Sequence, residues 1–248
     1  MRRYDRLTTL MTRFSLTVRP CAAEAATLAV IADRDDAPGR VLFRARGRGV
    51  DPGAGRVLFA ASVDWGGDAN PLMAALPELS SFDMTEDAHG SALVGLLRAE
   101  LEAGRCGAET AVNRLAEVLI IRLLRARIEA GSTTAGLLAG LADPRLSRAI
   151  VAMHDRPDRA WHNDDLAQIA GLSLSRFAET FRDRMGETPA GYLRRWRMLL
   201  ARQDVARGDR IEAVARRYGY GSPEGFARAF KRHFGETPVA LRPGGAGV

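Results

Sequence analysis

Two segments of the chain carry polar and cationic side chains at the three- and four-residue spacing of one exposed helical face. In the first segment this face consists of Ser175, Arg176, Ala178, Glu179 and Arg182. In the second segment it consists of Pro223, Glu224, Gly225, Arg228, Lys231 and Arg232. Arginine and lysine bind phosphates, and arginine, serine and glutamate also bond to base edges in the major groove of DNA. These residue types therefore favour recognition of double-stranded DNA.

The two segments belong to a unit that occurs twice in the sequence. Four pairs of matching residues are each separated by 49 positions: Ser173 and Ser222, Phe177 and Phe226, Phe181 and Phe230, and Pro189 and Pro238. Each copy reads as a short helix, a glycine-containing turn, a serine that caps a second helix, and two phenylalanines that face inward. This order predicts two helix-turn-helix units, each with the outer face of its second helix free to enter a major groove.

A helix of about fifteen residues, beginning at Pro189, is predicted between the two copies. A rigid helix at this place would hold the two outer faces at a fixed separation. Successive major grooves on one face of DNA lie ~34 Å apart. A single chain of this design could therefore read two adjacent grooves.

The excess positive charge of the chain is confined to its C-terminal part. The formal net charge of the whole sequence is +6. From Ala142 onward there are 19 basic and 13 acidic residues, whereas the preceding part has 17 of each. This distribution is typical of a nucleic-acid-binding part attached to a neutral part.

The N-terminal part reads as a small β-rich region followed by helices. A short helix is predicted over 5–14. Four apolar stretches that are predicted to be strands follow it, at 15–18, 27–31, 41–44 and 57–63. Helical periodicity returns over 92–103 and 109–130. The broad apolar surface of helix 109–130 has two interpretations that the sequence leaves open: a core helix packed on the sheet, or the interface of a homodimer.

A short polar segment at 131–134 is the best candidate for a linker. We therefore predict two domains, 1–135 and 136–248. The predicted fold class is α+β, with a short β-rich N-terminal domain that includes helices, followed by an all-α domain that contains both helix-turn-helix units.

The remaining reactive side chains form no recognisable catalytic or metal-binding pattern. Cys21 and Cys106 are too few for a four-cysteine zinc site, and the four histidines do not have metal-ligand spacing. We therefore expect no enzyme activity, no metal and no cofactor. Cys106 follows Arg105, and a neighbouring cation favours the reactive thiolate. A redox switch through Cys21 and Cys106 is therefore one alternative mode of regulation.

The sequence also bears on location. No stretch approaches the ~18 consecutive apolar residues of a membrane span. The N-terminus begins with basic residues but lacks the apolar core of a signal peptide. We expect a cytoplasmic protein that does not bind membranes.

The duplicated unit resembles the DNA-binding domain of the AraC family of bacterial transcription regulators. The resemblance covers roughly 145–242 and depends on several motifs in a fixed order: Ala167-x3-Gly171, Phe177-x3-Phe181-x4-Gly186, Ala215-x3-Gly219, Phe226-x3-Phe230 and the sequence GETP at 186–189 and 235–238. It implies a seven-helix domain with two helix-turn-helix units joined by a linker helix. It also implies that the bases are contacted by Ser175, Ala178 and Glu179 in the first unit, and by Pro223, Glu224, Gly225 and Arg228 in the second.

The N-terminal part resembles the branch of that family whose first domain is a cupin-like sensor, which implies an unidentified small-molecule effector. The sensor region is short, because roughly 60 residues carry strands where a complete barrel needs more. The sequence also departs from the family at Glu179, where relatives often have a basic residue. We therefore expect the second unit, or Arg176 and Arg182, to provide more of the attraction to phosphates.

These features predict a sequence-specific DNA-binding transcription regulator. Two alternatives come from other classes of protein. A non-specific architectural DNA-binding protein would protect no preferred sequence in a footprint. An enzyme with a regulatory helix-turn-helix would need catalytic residues that the N-terminal half does not show.

Overall fold

The computed structural model describes residues 5–66, 70–131 and 134–242. Its contacts divide the chain into two compact units, Phe14–Ser132 and Met1–Arg13 with Thr133–Val248, which we name the sheet unit and the helical unit. Residues 132 and 133 of the predicted linker lie outside the described residues. The α+β fold class is confirmed, since the described part of the helical unit contains helices and no strands. None of the described helices is long and apolar enough to cross a membrane.

The sheet unit is built on five antiparallel strands: β1 (Thr17–Pro20), β2 (Leu28–Ala32), β3 (Pro38–Arg44), β4 (Val57–Asp64) and β5 (Leu79–Asp83). Their order is β1-β4-β2-β3-β5, so β1 and β5 are the edges of an open sheet within the described residues. Four of the strands overlap the predicted apolar stretches. The sequence does not predict β5, because of its five residues only Ser80 is buried and no apolar alternation marks it. Pairing with β3 defines this strand.

The centre of the sheet is covered on both faces. Leu28, Ala29 and Val30 of β2 are fully buried although successive side chains of a strand point to opposite faces. On one face Ala29 and Ile31 form a cluster with Leu42 of β3 and with Ala26 and Val50 from the connecting loops. The open sheet therefore fills this face with its own side chains.

Three helices complete the described part of the sheet unit: α2 (Pro71–Ala75), α3 (Ala88–Ala103) and α4 (Ala108–Ala130). The long helix α4 packs against α3 and β1. Its buried residues follow helical spacing: Val112, Ala116, Leu119, Ile120, Leu123, Leu124 and Ile128. Asn113 Oδ1 accepts a hydrogen bond from the backbone N–H of Val18 at 2.6 Å, which fixes α4 to the edge strand β1. The wide apolar surface of α4 thus serves mainly as core.

The described part of the helical unit begins with α1 (Thr8–Arg13) and continues with eight helices: α5 (Leu137–Ala142), α6 (Leu146–Asp155), α7 (Asn163–Ala170), α8 (Leu174–Met185), α9 (Pro189–Ala206), α10 (Ile211–Arg217), α11 (Pro223–Phe234) and α12 (Pro238–Leu241). The seven helices α6–α12 agree with the seven-helix domain that the family resemblance implies, and α5 is a short addition before them. Helix α1 packs against α6, where Thr9 Oγ1 donates to Asp155 Oδ1. This pairing of distant segments has no sequence signature.

Candidate nucleic-acid interface

The first helix-turn-helix consists of α7 and α8. Gly171 ends α7 with φ of 68°, a left-handed conformation that glycine adopts without a Cβ clash. Ser173 then caps α8, and its Oγ accepts from the backbone N–H of Arg176 at 3.4 Å. Phe177 and Phe181 are fully buried, so the opposite side of α8 faces outward. The predicted turn, the cap and the two buried phenylalanines are confirmed. The same spacing predicts that Leu174 also faces inward, and this prediction is wrong, because Leu174 in the first turn of α8 is 46% exposed.

The second helix-turn-helix consists of α10 and α11 and repeats this construction. Gly219 has φ of 78° in the turn, and Ser222 Oγ accepts from the N–H of Gly225 at 3.0 Å. Pro223 occupies the first turn of α11, where its missing N–H would have no helical partner. Phe226 and Phe230 are fully buried. The two copies therefore have equivalent recognition helices, α8 and α11.

The predicted DNA-contacting residues lie on the outer sides of these two helices. On α8, Ser175, Arg176, Glu179 and Arg182 are exposed and Ala178 is half-buried. On α11, the exposed residues are Glu224, Arg228, Lys231 and Arg232, while Pro223 and Gly225 are half-buried. Each set is thus available from solvent on one helix, and contact with DNA stays a prediction.

The two recognition helices differ in their available charge. On α8 the guanidinium of Arg176 donates to the carboxylate of Glu179 at 2.8 Å, with both side chains exposed. This ion pair offsets the negative charge of Glu179, which would otherwise repel phosphate. It also occupies the guanidinium of Arg176, which is then less available to DNA. On α11, neither Arg228 nor Lys231 has an ion pair or hydrogen bond through its side chain with any described residue. The second unit therefore presents the stronger positive face, and on the predicted face of α8 the side chain of Arg182 has no ion pair or hydrogen bond with any described residue.

The linker helix α9 fixes the second unit through a carboxylate that the sequence analysis missed. Asp204 is only 2% exposed. It accepts a hydrogen bond from the hydroxyl of Tyr218 at 2.7 Å and ionic hydrogen bonds from Arg207 and Arg217. Arg217 also donates to Asp209 at 2.8 Å. Because Arg217 is the last residue of α10 and Tyr218 is its C-cap, this network joins α9 to the end of the first helix of the second helix-turn-helix.

The protonation state of Asp204 follows from this geometry. Burial raises its pKa, but the hydrogen bonds from Tyr218, Arg217 and Arg207 outweigh burial and hold the pKa below the usual value. The carboxylate is therefore charged at neutral pH. In the sequence its only signal is an aspartate at an apolar position of the linker helix, next to Val205.

The start of α9 is fixed to α6 by a buried histidine. His154 Nε2 lies 2.5 Å from the hydroxyl of Tyr192, and its ring lies 4.3 Å from the ring of Trp196. Burial, with a smaller effect of the charge of Arg195, lowers the pKa of His154 to about 3. The neutral imidazole thus forms part of the core beside the first helix-turn-helix.

We predict a pH dependence of stability from His154. An unfolded histidine titrates near 6.5, so between about pH 6.5 and 3 the unfolded chain binds the proton that the folded chain excludes. The free energy of unfolding should therefore fall as the pH is lowered below 6.5, by about 1.4 kcal/mol per pH unit. Urea titrations at pH 7, 6 and 5 would measure this slope.

The matched control is His154→Gln, which removes the buried titrating group. The slope of its free energy of unfolding against pH should be smaller by about 1.4 kcal/mol per pH unit, which corresponds to one proton. His233, whose pKa burial also lowers, titrates in both proteins and does not affect the comparison. An equal slope in the two proteins would show that His154 is protonated in the folded state.

A third contact of α9 holds the segment that leads into the first unit. Arg197 donates through Nε to the carbonyl of Pro157 at 2.6 Å and through Nη2 to that of Arg159 at 2.8 Å. The guanidinium of Arg159 lies 4.0 Å from the centre of the Trp161 ring. Together with Asp204 and His154, these contacts make α9 the element that positions both helix-turn-helix units.

The two cysteines occupy different environments in the sheet unit. Cys21 is half-buried and packs against the apolar cluster of the sheet, and Cys106 is exposed in the turn between α3 and α4. The guanidinium of Arg105 donates to Glu100 at 2.7 Å, so its charge already has a carboxylate partner. Within the described ranges, no three His, Cys, Asp or Glu side chains converge as a metal site would require.

Two family models match the chain. A helix-turn-helix domain model matches residues 166–243, and a cupin model matches residues 18–129. The first therefore covers both helix-turn-helix units, and the second covers most of the sheet unit.

Curated relatives are transcription regulators. A putative AraC-like transcription regulator of Streptomyces lividans is 38% identical over 132 residues, which are 52% of this chain and 43% of the relative. The regulator AlkR of Acinetobacter baylyi is 33% identical over 178 residues, 70% of this chain and 58% of the relative. The chain thus spans about half the length of these relatives.

Solved structures give weaker similarities. An AraC-type regulator from Chromobacterium violaceum is 25% identical with a TM-score of 0.40, over 42% of this chain and 95% of that one. The DNA-binding domain of AdpA, solved in complex with a target DNA, is 29% identical with a TM-score of 0.36, over 40% of this chain and 90% of that one.

The two domain models therefore match the chain in the order in which its two units occur, and both named relatives are transcription regulators. The chain belongs to the AraC family of transcription regulators and combines a cupin domain with an AraC-type helix-turn-helix domain.

Proposed function

We propose that this protein is a sequence-specific DNA-binding transcription regulator that places α8 and α11 in adjacent major grooves of double-stranded DNA. The observation that carries the proposal is the duplicated recognition unit on a single linker helix, with α9 in contact with the first copy through the rings of Tyr192 and Phe181 and bonded to the second through Asp204 and Tyr218. The 18 residues of α9 span about 27 Å at 1.5 Å per residue. This length is comparable to the ~34 Å between successive major grooves.

The two recognition helices have different roles in this proposal. Helix α11 supplies most of the attraction to phosphates, because Lys231 and Arg232 are exposed and their side chains have no ion pair or hydrogen bond with any described residue. Helix α8 supplies Ser175, whose hydroxyl can donate or accept hydrogen bonds at base edges, and Glu179, whose carboxylate can accept them. A contact between Arg176 and a phosphate would compete with the ion pair between Arg176 and Glu179. The first unit therefore gains less electrostatic attraction to DNA than the second unit.

Arg228→Ala should weaken binding to the preferred DNA by ~1–3 kcal/mol and relax the preference at one base position. The reason is that a guanidinium on the outer face of α11 can form two hydrogen bonds with a guanine. Fluorescence anisotropy with a series of single-base variants of the bound sequence would measure both effects.

Arg216→Ala is the matched control, since Arg216 is an exposed arginine of α10, the helix before the recognition helix. Its removal should leave the base preference unchanged. If Arg228→Ala instead weakens all sequences equally, Arg228 contacts phosphate and not a base.

A homodimer through the sheet unit is part of the proposal. Most apolar residues of α4 are buried in its own core, but Val118 is 47% exposed, and Leu96 and Leu101 of the neighbouring helix α3 are 57% and 40% exposed. The contact surface would therefore include α3 as well as α4. Sedimentation equilibrium should show a concentration-dependent dimer for the native chain and a monomer for Leu96→Lys/Val118→Lys. A native chain that stays monomeric would exclude this dimer.

Regulation by oxidants is a second candidate, and the exposure of Cys106 favours it. Thiol trapping after mild oxidation, followed by measurement of DNA affinity, tests it in the native chain and in Cys21→Ser/Cys106→Ser. The same response of affinity in both proteins would exclude a cysteine switch.

A further inference from the structure

The sheet unit contains a cleft of about 530 Å³ between its edge strand β5 and the C-terminal half of α4. Because α4 is bonded to the opposite edge strand β1 through Asn113, the helix crosses the sheet, and its last turns reach the β5 edge. The volume lies within the usual range of small-molecule sites, ~300–1,000 Å³. The cleft lies outside the apolar cluster that fills the centre of the sheet.

Two arginines that line the cleft have buried donors without acceptors. The Nε atoms of Arg122 and Arg127 are inaccessible to solvent and have no hydrogen-bond partner among the described residues. Arg122 is held in place because its Nη2 donates to Asp87, whose Oδ1 also accepts from the N–H of Gly90 at 2.9 Å. Buried donors without acceptors are rare in native proteins because each one loses its bond to water.

The acidic groups of the cleft do not supply these acceptors. Asp83 accepts from the N–H and the hydroxyl of Thr85 at 2.9 and 2.7 Å, and Asp87 is engaged as described above. The lining contains three arginines, at 122, 125 and 127, and three carboxylates, Asp83, Asp87 and Glu129. This balance favours a ligand with a single negative charge over a polyanion.

Apart from Ser81, the rest of the lining is made of apolar residues. Leu119 and Leu123 of α4 and Met84 after β5 are buried, and Phe82 is half-buried. A ligand for this cleft therefore combines an acceptor for guanidinium N–H groups with an apolar body. Guanidinium groups match carboxylates in geometry as well as charge.

We propose that the cleft between β5 and α4 binds a small organic monocarboxylate, with its carboxylate at the guanidinium groups of Arg122 and Arg127, which line the cleft, and its apolar part against Leu119, Leu123 and Phe82. Nothing in this inference depends on DNA binding. Its test therefore uses ligand binding alone, and its failure would leave the proposed DNA-binding function unaffected.

The test is isothermal titration calorimetry of the full chain with sodium octanoate, with 1-octanol as the uncharged probe of the same length. The native protein should bind octanoate saturably with a 1:1 stoichiometry and bind 1-octanol at least tenfold more weakly. Arg127→Gln should weaken octanoate binding at least tenfold. Arg114→Gln is the matched control, because Arg114 lies on the same helix, is 72% exposed and does not line the cleft, and this variant should bind as the native chain does.

A thermal unfolding midpoint without ligand checks that each variant is folded. If Arg127→Gln is unfolded, Arg127→Lys replaces it, since lysine keeps the charge and the aliphatic stem but has no Nε donor at that position. The proposal is overturned if the folded native chain does not bind octanoate saturably. It is equally overturned if the Arg127 variant binds octanoate as well as the native chain, or if octanol binds as tightly as octanoate.

Discussion

Asp204→Ala is expected to lower the free energy of unfolding by about 2–4 kcal/mol. The substitution leaves the buried hydroxyl of Tyr218 without its acceptor, which alone is worth about 1–3 kcal/mol. It also breaks the ionic hydrogen bonds from Arg207 and Arg217. This range is about 1 kcal/mol lower than the ~3–5 kcal/mol of a fully buried ion pair, because both arginine side chains are about half exposed. Urea unfolding at pH 7 measures it.

Asp209→Ala is the matched control, since Asp209 pairs with the same Arg217 at 2.8 Å but is 39% exposed. It should change the free energy of unfolding by less than about 1 kcal/mol. Asp204→Ala should also weaken protection of the half of the DNA site that α11 reads more than the other half. Equal small effects of the two alanines on stability would show that the network does not hold α9 and α10 together.

Phe181→Ala should destabilise the protein by about 3–5 kcal/mol, as truncation of a buried phenylalanine does when the cavity cannot collapse. Phe181 is fully buried, with its ring centre 5.6 Å from that of Phe177 and 5.9 Å from that of Tyr192. It therefore joins α8 to the linker helix. The expected result is a lower urea midpoint together with lost recognition of the DNA half-site that α8 reads.

Leu174→Ala is the control on the same helix, because Leu174 is 46% exposed. It should change the free energy of unfolding by less than about 0.5 kcal/mol. A loss in Phe181→Ala no larger than in Leu174→Ala would mean that α8 is not held through this aromatic contact.

Local sequence signals predicted the parts of this fold that local chemistry determines. Glycines at 171 and 219 and serines at 173 and 222 set the turns and caps of both units, and the phenylalanines four residues apart determine which side of each helix is buried. Strand β5 could not be predicted in this way, because it is defined by pairing with β3 and not by its own pattern. The position of helix α1 likewise depends on its contact with α6, which the local sequence of α1 does not indicate.

The sequence predicts which residues of the candidate interface are exposed, but it does not predict which of their charges are already paired. Spacing alone indicates which residues of α8 and α11 lie outside, but it does not indicate that Arg176 is engaged by Glu179. The positioning contacts of Asp204 and His154 connect residues 14 and 38 positions apart. A single sequence contains no periodicity that links such pairs.

Selection of bound sequences from random double-stranded DNA is the decisive experiment for the proposal that one chain reads two adjacent major grooves. The full chain is the appropriate protein, because a fragment beginning at 136 would lose the contact of α1 with α6. We expect two short enriched motifs whose centres lie about one helical turn, ~10 base pairs, apart, with Arg228→Ala altering only one of them. Enrichment of one motif alone, or of no sequence at all, would contradict the proposal.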